Sequence, residues 1–137
     1  MQQVILRPTI GFSAQLSKHV YLGDAQAVKY DKVITNYDQG YKKFTGHFTA
    51  PLKGLYLFSC TIMEYRDYYI HVEIVKNRVR ISTIHANKYV FDQSSQTVVL
   101  ALRKGDSVWT RQSASERYLW KHIGYSMFTG ILVSEDI

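Results

Sequence analysis

The side chains best suited to recognition chemistry are gathered in residues 110–125, TRQSASERYLWKHIGY. Arg111, Arg117, Lys121 and His122 are interleaved there with Tyr118, Trp120 and Tyr125. Guanidinium and ammonium groups supply charge-assisted hydrogen bonds to carboxylate or phosphate, and flat aromatic faces stack on sugars or bases. A second basic and aromatic cluster is Tyr65-Arg66-Asp67-Tyr68-Tyr69. The expected ligand-binding residues are therefore Arg111, Arg117, Tyr118, Trp120 and Lys121, with Tyr65 and Tyr68 in a secondary position. The competing reading is structural: Leu119 and Trp120 pin a loop to the body of the protein, and the charges around them are solvated. A formal charge of +6 favours acidic partners through long-range steering, whichever residues make the contact. Single-stranded nucleic acid could use the same mixture of groups, but the clusters are short and no nucleic-acid-binding motif accompanies them, so that partner is disfavoured.

Catalysis has little support. The chain contains no Gly-x-Ser-x-Gly elbow, no His-Glu-x-x-His pair and no glycine-rich phosphate loop. Its single cysteine, Cys60, lies in the most apolar stretch without a neighbouring base, and reads as a buried, inert thiol that forms no intrachain disulfide. No enzymatic activity is expected. His71 and Glu73 share one face of a strand and could hold a divalent cation weakly, although two solvated polar side chains are the simpler reading. His19, His47, His85 and His122 have no ligand spacing with one another.

The elements that must position these groups are short and bounded by turns. Residues 55–63, LYLFSCTIM, are apolar on both parities: Tyr56, Phe58, Cys60 and Ile62 on one, Leu55, Leu57 and Met63 on the other. With a side-chain period of two, each parity faces one side of a sheet, so one face can serve the core and the other needs a second cover. Further strands are expected over 10–16, 28–34, 68–76, 79–84, 97–102, 107–111 and 124–133. Phe44 and Phe48 share a parity across Gly46, as in a strand with a bend. Asn77-Arg78 and Arg103-Lys104-Gly105-Asp106 read as hairpin turns. Residues 92–96, DQSSQ, read as a loop, and so do 112–123. About eight to ten strands and no helix define an all-β sandwich or jelly roll in one domain spanning 1–137. No stretch approaches the roughly 20 apolar residues of a membrane span, so no membrane insertion is expected. The opening MQQVILRPTI has neither a basic start nor a long apolar run and does not read as a signal peptide.

The spacing ahead of the apolar strand carries a resemblance. Asn36, Tyr41, Phe48, Gly54, Tyr56 and Phe58 follow the signature of the complement C1q globular-head family, within the C1q and tumour necrosis factor-like superfamily. Tyr30 stands where that signature has Phe, and Cys60 where it has an aromatic. Phe12-Ser13-Ala14 resembles the family's opening strand, residues 98–109 (VVLALRKGDSVW) its penultimate strands, and residues 128–132 (FTGIL) its last. The likeness covers roughly residues 9–133.

The resemblance implies a ten-stranded jelly-roll β-sandwich, assembled as a homotrimer and secreted, in which case the chain is a mature fragment with an added Met1. It also implies one of two roles. The first is lectin-like pattern recognition in innate immunity, with multivalent carbohydrate binding to anionic glycans, lipopolysaccharide or other polyanions. The second is a signalling or structural ligand that engages a protein receptor. The charge and the 110–125 segment favour the first. An intracellular β-sandwich outside the family is a third possibility. Some family members bind calcium at the trimer axis. Asp92 matches one acidic position of that site, but the adjacent acidic pair expected seven or eight residues earlier is replaced by His85-Ala86. One carboxylate per subunit is a poor cage for a cation that needs several hard oxygens, so calcium is disfavoured and no cofactor is expected.

Overall fold

The computed structural model describes residues 7–18, 20, 22–63, 70–86, 93–113 and 126–137, with Ile70 and Ala86 described in backbone only. Ten strands follow one another: β1 (Gly11–Gln15), β2 (Lys32–Tyr37), β3 (Tyr41–Lys42), β4 (His47–Thr49), β5 (Gly54–Met63), β6 (Ile70–Lys76), β7 (Val79–Ala86), β8 (Gln93–Leu102), β9 (Ser107–Gln112) and β10 (Met127–Ser134). They form two antiparallel five-stranded sheets, ordered β2-β1-β10-β5-β8 and β3-β4-β9-β6-β7. No helix occurs among the described residues. The architecture is the expected all-β jelly-roll sandwich.

Strand β5 is central to its sheet, between β10 and β8. Tyr56, Phe58, Cys60 and Ile62 point into the sandwich and are buried, while Leu55, Leu57 and Met63 lie half-buried on the outer face. The core between the sheets is built on aromatic rings. Phe12 stacks on Tyr41 at 4.9 Å and on Phe48 at 5.2 Å, and meets Phe128 edge-on at 5.0 Å. Such pairs add about 0.5–1.5 kcal/mol each beyond the area they bury. Gly54 sits where a Cβ would lie 2.5 Å from Leu132 Cδ1 and 2.9 Å from the Ser134 carbonyl, so the close approach of β5 to the end of β10 requires glycine.

Several expected boundaries move. Residues 28–31 are not a strand. Ala27 bridges Arg111 and the Val28 N–H donates to the Thr110 carbonyl, after which the chain crosses to the other sheet and pairs only from Lys32 onward. Val28 and Tyr30 alternate because both are buried during that crossing. Ile34 is the extra residue of a bulge between Ser13↔Thr35 and Ala14↔Val33. Residues 93–96 belong to β8, against Cys60–Met63, rather than to a loop. On the outer face the hydroxyls of Ser95 and Thr61 are 2.8 Å apart, and the next such pair along the strand is Thr97, which donates to Ser59 at 3.3 Å. Phe44 is not in the same strand as Phe48. The chain turns between them, with Gly46 at φ 76°, so Phe48 is buried and Phe44 stands in solvent. The 77–78 hairpin is as expected, with Asn77 at φ 48° and Arg78 at φ 73°, the two positive values that a two-residue turn of this hand requires.

Candidate functional site

Of the residues expected to bind ligand, Arg117, Tyr118, Trp120 and Lys121 lie outside the described residues, as do Tyr65 and Tyr68 and the acidic position Asp92. Arg111 is described. It stands on the outer face of β9, opposite Glu73 of β6 and bridged to Ala27 on its other side. Its Nη2 is 3.7 Å from Glu73 Oε2, and its Nε is buried without a hydrogen-bond partner. Glu73 was expected to be solvated; it is only 8% exposed, because the neighbouring arginine lies against it. The guanidinium is thus engaged within the sheet, which lowers its capacity for an external anion.

The same face carries further groups that sequence spacing does not reveal. Trp109 shares the parity of Arg111 and stacks on His47 of β4, with centroids 4.0 Å apart and ring planes within 12°. Burial pushes the His47 imidazole below its ordinary pKa, favouring the neutral ring. Beside this stack, His47, Asn77, Arg78, Ser107 and Trp109 line an open depression of about 320 Å³. The hairpin at its rim is fixed: Asn77 Oδ1 accepts from the Ser107 N–H at 2.9 Å, and Nδ2 donates to Asp106 Oδ1 at 3.0 Å. His71 and His85 oppose each other across β6 and β7, with ring centroids 4.2 Å apart and planes crossing at 81°. Among the described residues no group of three or more His, Cys, Asp or Glu side chains is placed to hold a metal ion.

The other sheet presents a different outer face. Register places Tyr37, Gly11, Ile131, Leu57 and Val99 in one row across all five strands. Tyr37 is 62% exposed, Ile131 50% and Val99 55%, and Val133 lies further along β10 at 56%. The next row is made of hydroxyls: Thr35, Ser13, Thr129, Ser59 and Thr97. Ser13 and Thr129 are hydrogen-bonded at 3.1 Å, as Thr97 is to Ser59. This face therefore carries an apolar row beside a row of small, uncharged side chains with hydrogen bonds among them. Such a surface suits close packing against another protein surface better than it suits a small polar ligand.

The family model of the C1q domain matches residues 11–133. The chain belongs to the C1q domain family. Among curated relatives, this C1q domain is 31% identical over 129 residues to Complement C1q tumor necrosis factor-related protein 3 of Mus musculus, covering 92% of the chain and 52% of the relative. It is 31% identical over 134 residues to Complement C1q tumor necrosis factor-related protein 2 of Mus musculus (95% and 45%), and 37% identical over 114 residues to protein 6 of Rattus norvegicus (78% and 43%). The chain thus spans about half the length of these relatives. Among solved structures, it is similar to the globular domain of zebrafish complement 1qA protein, with TM-score 0.76 and 21% identity over 91% of this chain and 97% of that one. Eiger TNF from S. frugiperda also has TM-score 0.76, at 14% identity over 96% of each chain. At those identities the likeness establishes the fold. The family signature acquires physical content in this domain: Tyr30, Tyr41, Phe48, Tyr56, Phe58 and Cys60 are all core residues, and Asn36 and Gly54 make backbone contacts that other residues could not.

Proposed function

We propose that the chain is the C1q-type head of an extracellular protein ligand, which assembles as a homotrimer through the outer face of the β2-β1-β10-β5-β8 sheet and engages a protein receptor. The observation that carries this reading is the row across that face in which Tyr37, Ile131 and Val99 are exposed and Leu57 half-buried in a single chain. A closed ring of three copies covers such a face by a heterologous contact. The curated relatives, named as C1q and tumor necrosis factor-related proteins, support a ligand role rather than a catalytic one.

Contact with anionic glycans is the second reading. It is favoured by the formal charge of +6, which becomes +18 when three copies are counted. It receives less support from Arg111, whose guanidinium already pairs with Glu73. The two readings separate in one experiment. Fluorescently labelled oligomer is applied to cultured cells, untreated, trypsinised, or treated with heparinase and sialidase. A receptor ligand shows saturable binding that trypsin removes and the glycosidases leave intact; binding that the glycosidases remove assigns the protein to polyanion recognition, whatever trypsin does, because these glycans are carried on cell-surface proteins.

A further inference from the structure

The turn joining β3 to β4, residues 42–46, carries Phe44 at 80% exposure, the most exposed large apolar side chain among the described residues. A lone surface phenylalanine needs no explanation in itself. This one is held out on a turn that is rigid by construction. The Lys42 carbonyl accepts from the Gly46 N–H at 2.8 Å and from the Thr45 N–H at 3.2 Å, and Thr45 Oγ1 accepts from the His47 N–H at 3.2 Å. Gly46 presses the turn onto residues 28–29 so closely that a Cβ there would lie 2.2 Å from the Val28 carbonyl oxygen. The ring is therefore presented in a fixed position, which lowers the ordering cost of any contact it makes.

Its surroundings specify the contact. Beside the ring lies an open depression of about 400 Å³, floored by Val33 and Tyr41 and edged by Gln39, Lys42 and Lys43. Lys42 and Lys43 are exposed, and so is Lys29, behind Gly46. The Lys43 ammonium stands 5.3 Å over the Phe44 ring centroid. Two carboxylates lie along this stretch of chain: Asp38, exposed on the turn between β2 and β3, and Asp31, held by the backbone and hydroxyl of Ser17; the exposed lysines Lys29, Lys32, Lys42 and Lys43 outnumber them. A concave, lysine-rimmed surface with one projecting ring complements a convex apolar side chain flanked by carboxylates. A sugar ring would compete with the Lys43 ammonium for the face of Phe44, and a lipid surface would not fill a depression.

We infer that the 42–46 turn is the anchor for an acidic protein partner, an apolar side chain of that partner packing against Phe44 in the adjoining depression while Lys42 and Lys43 pair with its carboxylates. This deepens the receptor reading above and rests on it. The probe is a peptide, acetyl-GEELWEELEEG-amide, titrated into the ¹⁵N-labelled parent chain and followed by NMR, with a heparin decasaccharide and vesicles of three parts phosphatidylcholine to one part phosphatidylserine as parallel ligands. The expected result is peptide binding in the range of tens of micromolar, with shifts centred on residues 29, 33 and 41–46. Phe44→Ala lowers peptide affinity at least tenfold, Lys42→Glu with Lys43→Glu does the same, and Phe44→Trp retains it, all with unchanged far-ultraviolet circular dichroism. Equal affinity for the parent and Phe44→Ala, shifts centred elsewhere, or Phe44-dependent binding confined to heparin or vesicles overturns the inference. The cell assay distinguishes the two levels. Trypsin-sensitive binding unaltered in Phe44→Ala removes the anchor and leaves a receptor, whereas Phe44-dependent peptide binding without trypsin-sensitive cell binding leaves the anchor and removes the receptor.

Discussion

The side-chain amide of Asn36 holds both backbone polar groups of Tyr41: its Nδ2 donates to the Tyr41 carbonyl at 2.9 Å, and its Oδ1 accepts from the Tyr41 N–H at 3.2 Å. Asn36 belongs to one sheet and Tyr41 to the edge strand of the other. The amide therefore acts as a short piece of strand across the corner of the sandwich, satisfying groups that an edge would leave open. It also fixes Tyr41, whose ring stacks on Phe12 and whose hydroxyl donates to the Tyr30 carbonyl at 2.8 Å.

Asn36→Ala is accordingly expected to destabilise the domain by about 2–6 kcal/mol, since two backbone groups of a buried residue lose their partner and each costs about 1–3 kcal/mol. Urea denaturation measures it. A loss below about 0.5 kcal/mol, the scale of an ordinary surface substitution, contradicts the role given to the amide.

Gly46 and Gly105 both adopt positive φ, at 76° and 93°, but only the first meets backbone: a Cβ on Gly105 has nothing within 4 Å. Alanine at 105 is expected to cost about 1–2 kcal/mol from backbone strain alone. Alanine at 46 adds a collision with Val28 and should cost at least twice as much. Equal melting temperatures for the two variants would show that the 42–46 turn is not packed as described.

Burial pushes the Cys60 thiol from about 9 up to about 12, and raises the Tyr30 hydroxyl, 3.5 Å from Sγ, in the same direction. The folded state keeps these protons to higher pH than the unfolded state, which begins to release the thiol proton near pH 9. Their contribution to stability is present below pH 9 and is lost as pH rises towards 12, with a slope of up to about 1.4 kcal/mol per pH unit for each group. Urea midpoints measured from pH 8 to pH 10.5 should fall, and Cys60→Ala should show a shallower fall. Iodoacetamide at pH 8 should modify Cys60 only after denaturant is added.

Much of the fold was legible because burial imposes a period on each strand. The 55–63 strand, apolar on both parities, was legible as a strand with one face in the core, and it lies between β10 and β8. What failed was local. Residues 93–96 looked like a loop because their serines and glutamines are polar, yet an outward-facing strand position needs only a partner across the strand, and Thr61 supplies one. Val28 and Tyr30 looked like a strand because alternate burial also arises in a segment crossing between sheets. The site was less legible than the fold. Parity placed Glu73 and His71 on one outer face, but Arg111 pairing with Glu73, Trp109 stacking on His47 and His71 meeting His85 depend on strand register between distant segments, which spacing within one segment does not encode. Phe44 was misplaced for a simpler reason: parity carries no meaning once Gly46 turns the chain.

The trimer is the claim on which the functional account stands, and its mass in solution tests it most directly. Three copies of a 15.9 kDa chain give about 48 kDa. Sedimentation equilibrium at micromolar concentration is expected to return that mass for the parent. Ile131→Asp, a change at a half-exposed position outside the core, is expected to return 15.9 kDa with an unchanged circular dichroism spectrum. A parent of 15.9 kDa, or an Ile131→Asp variant that remains at about 48 kDa, would contradict assembly through the outer face of the β2-β1-β10-β5-β8 sheet.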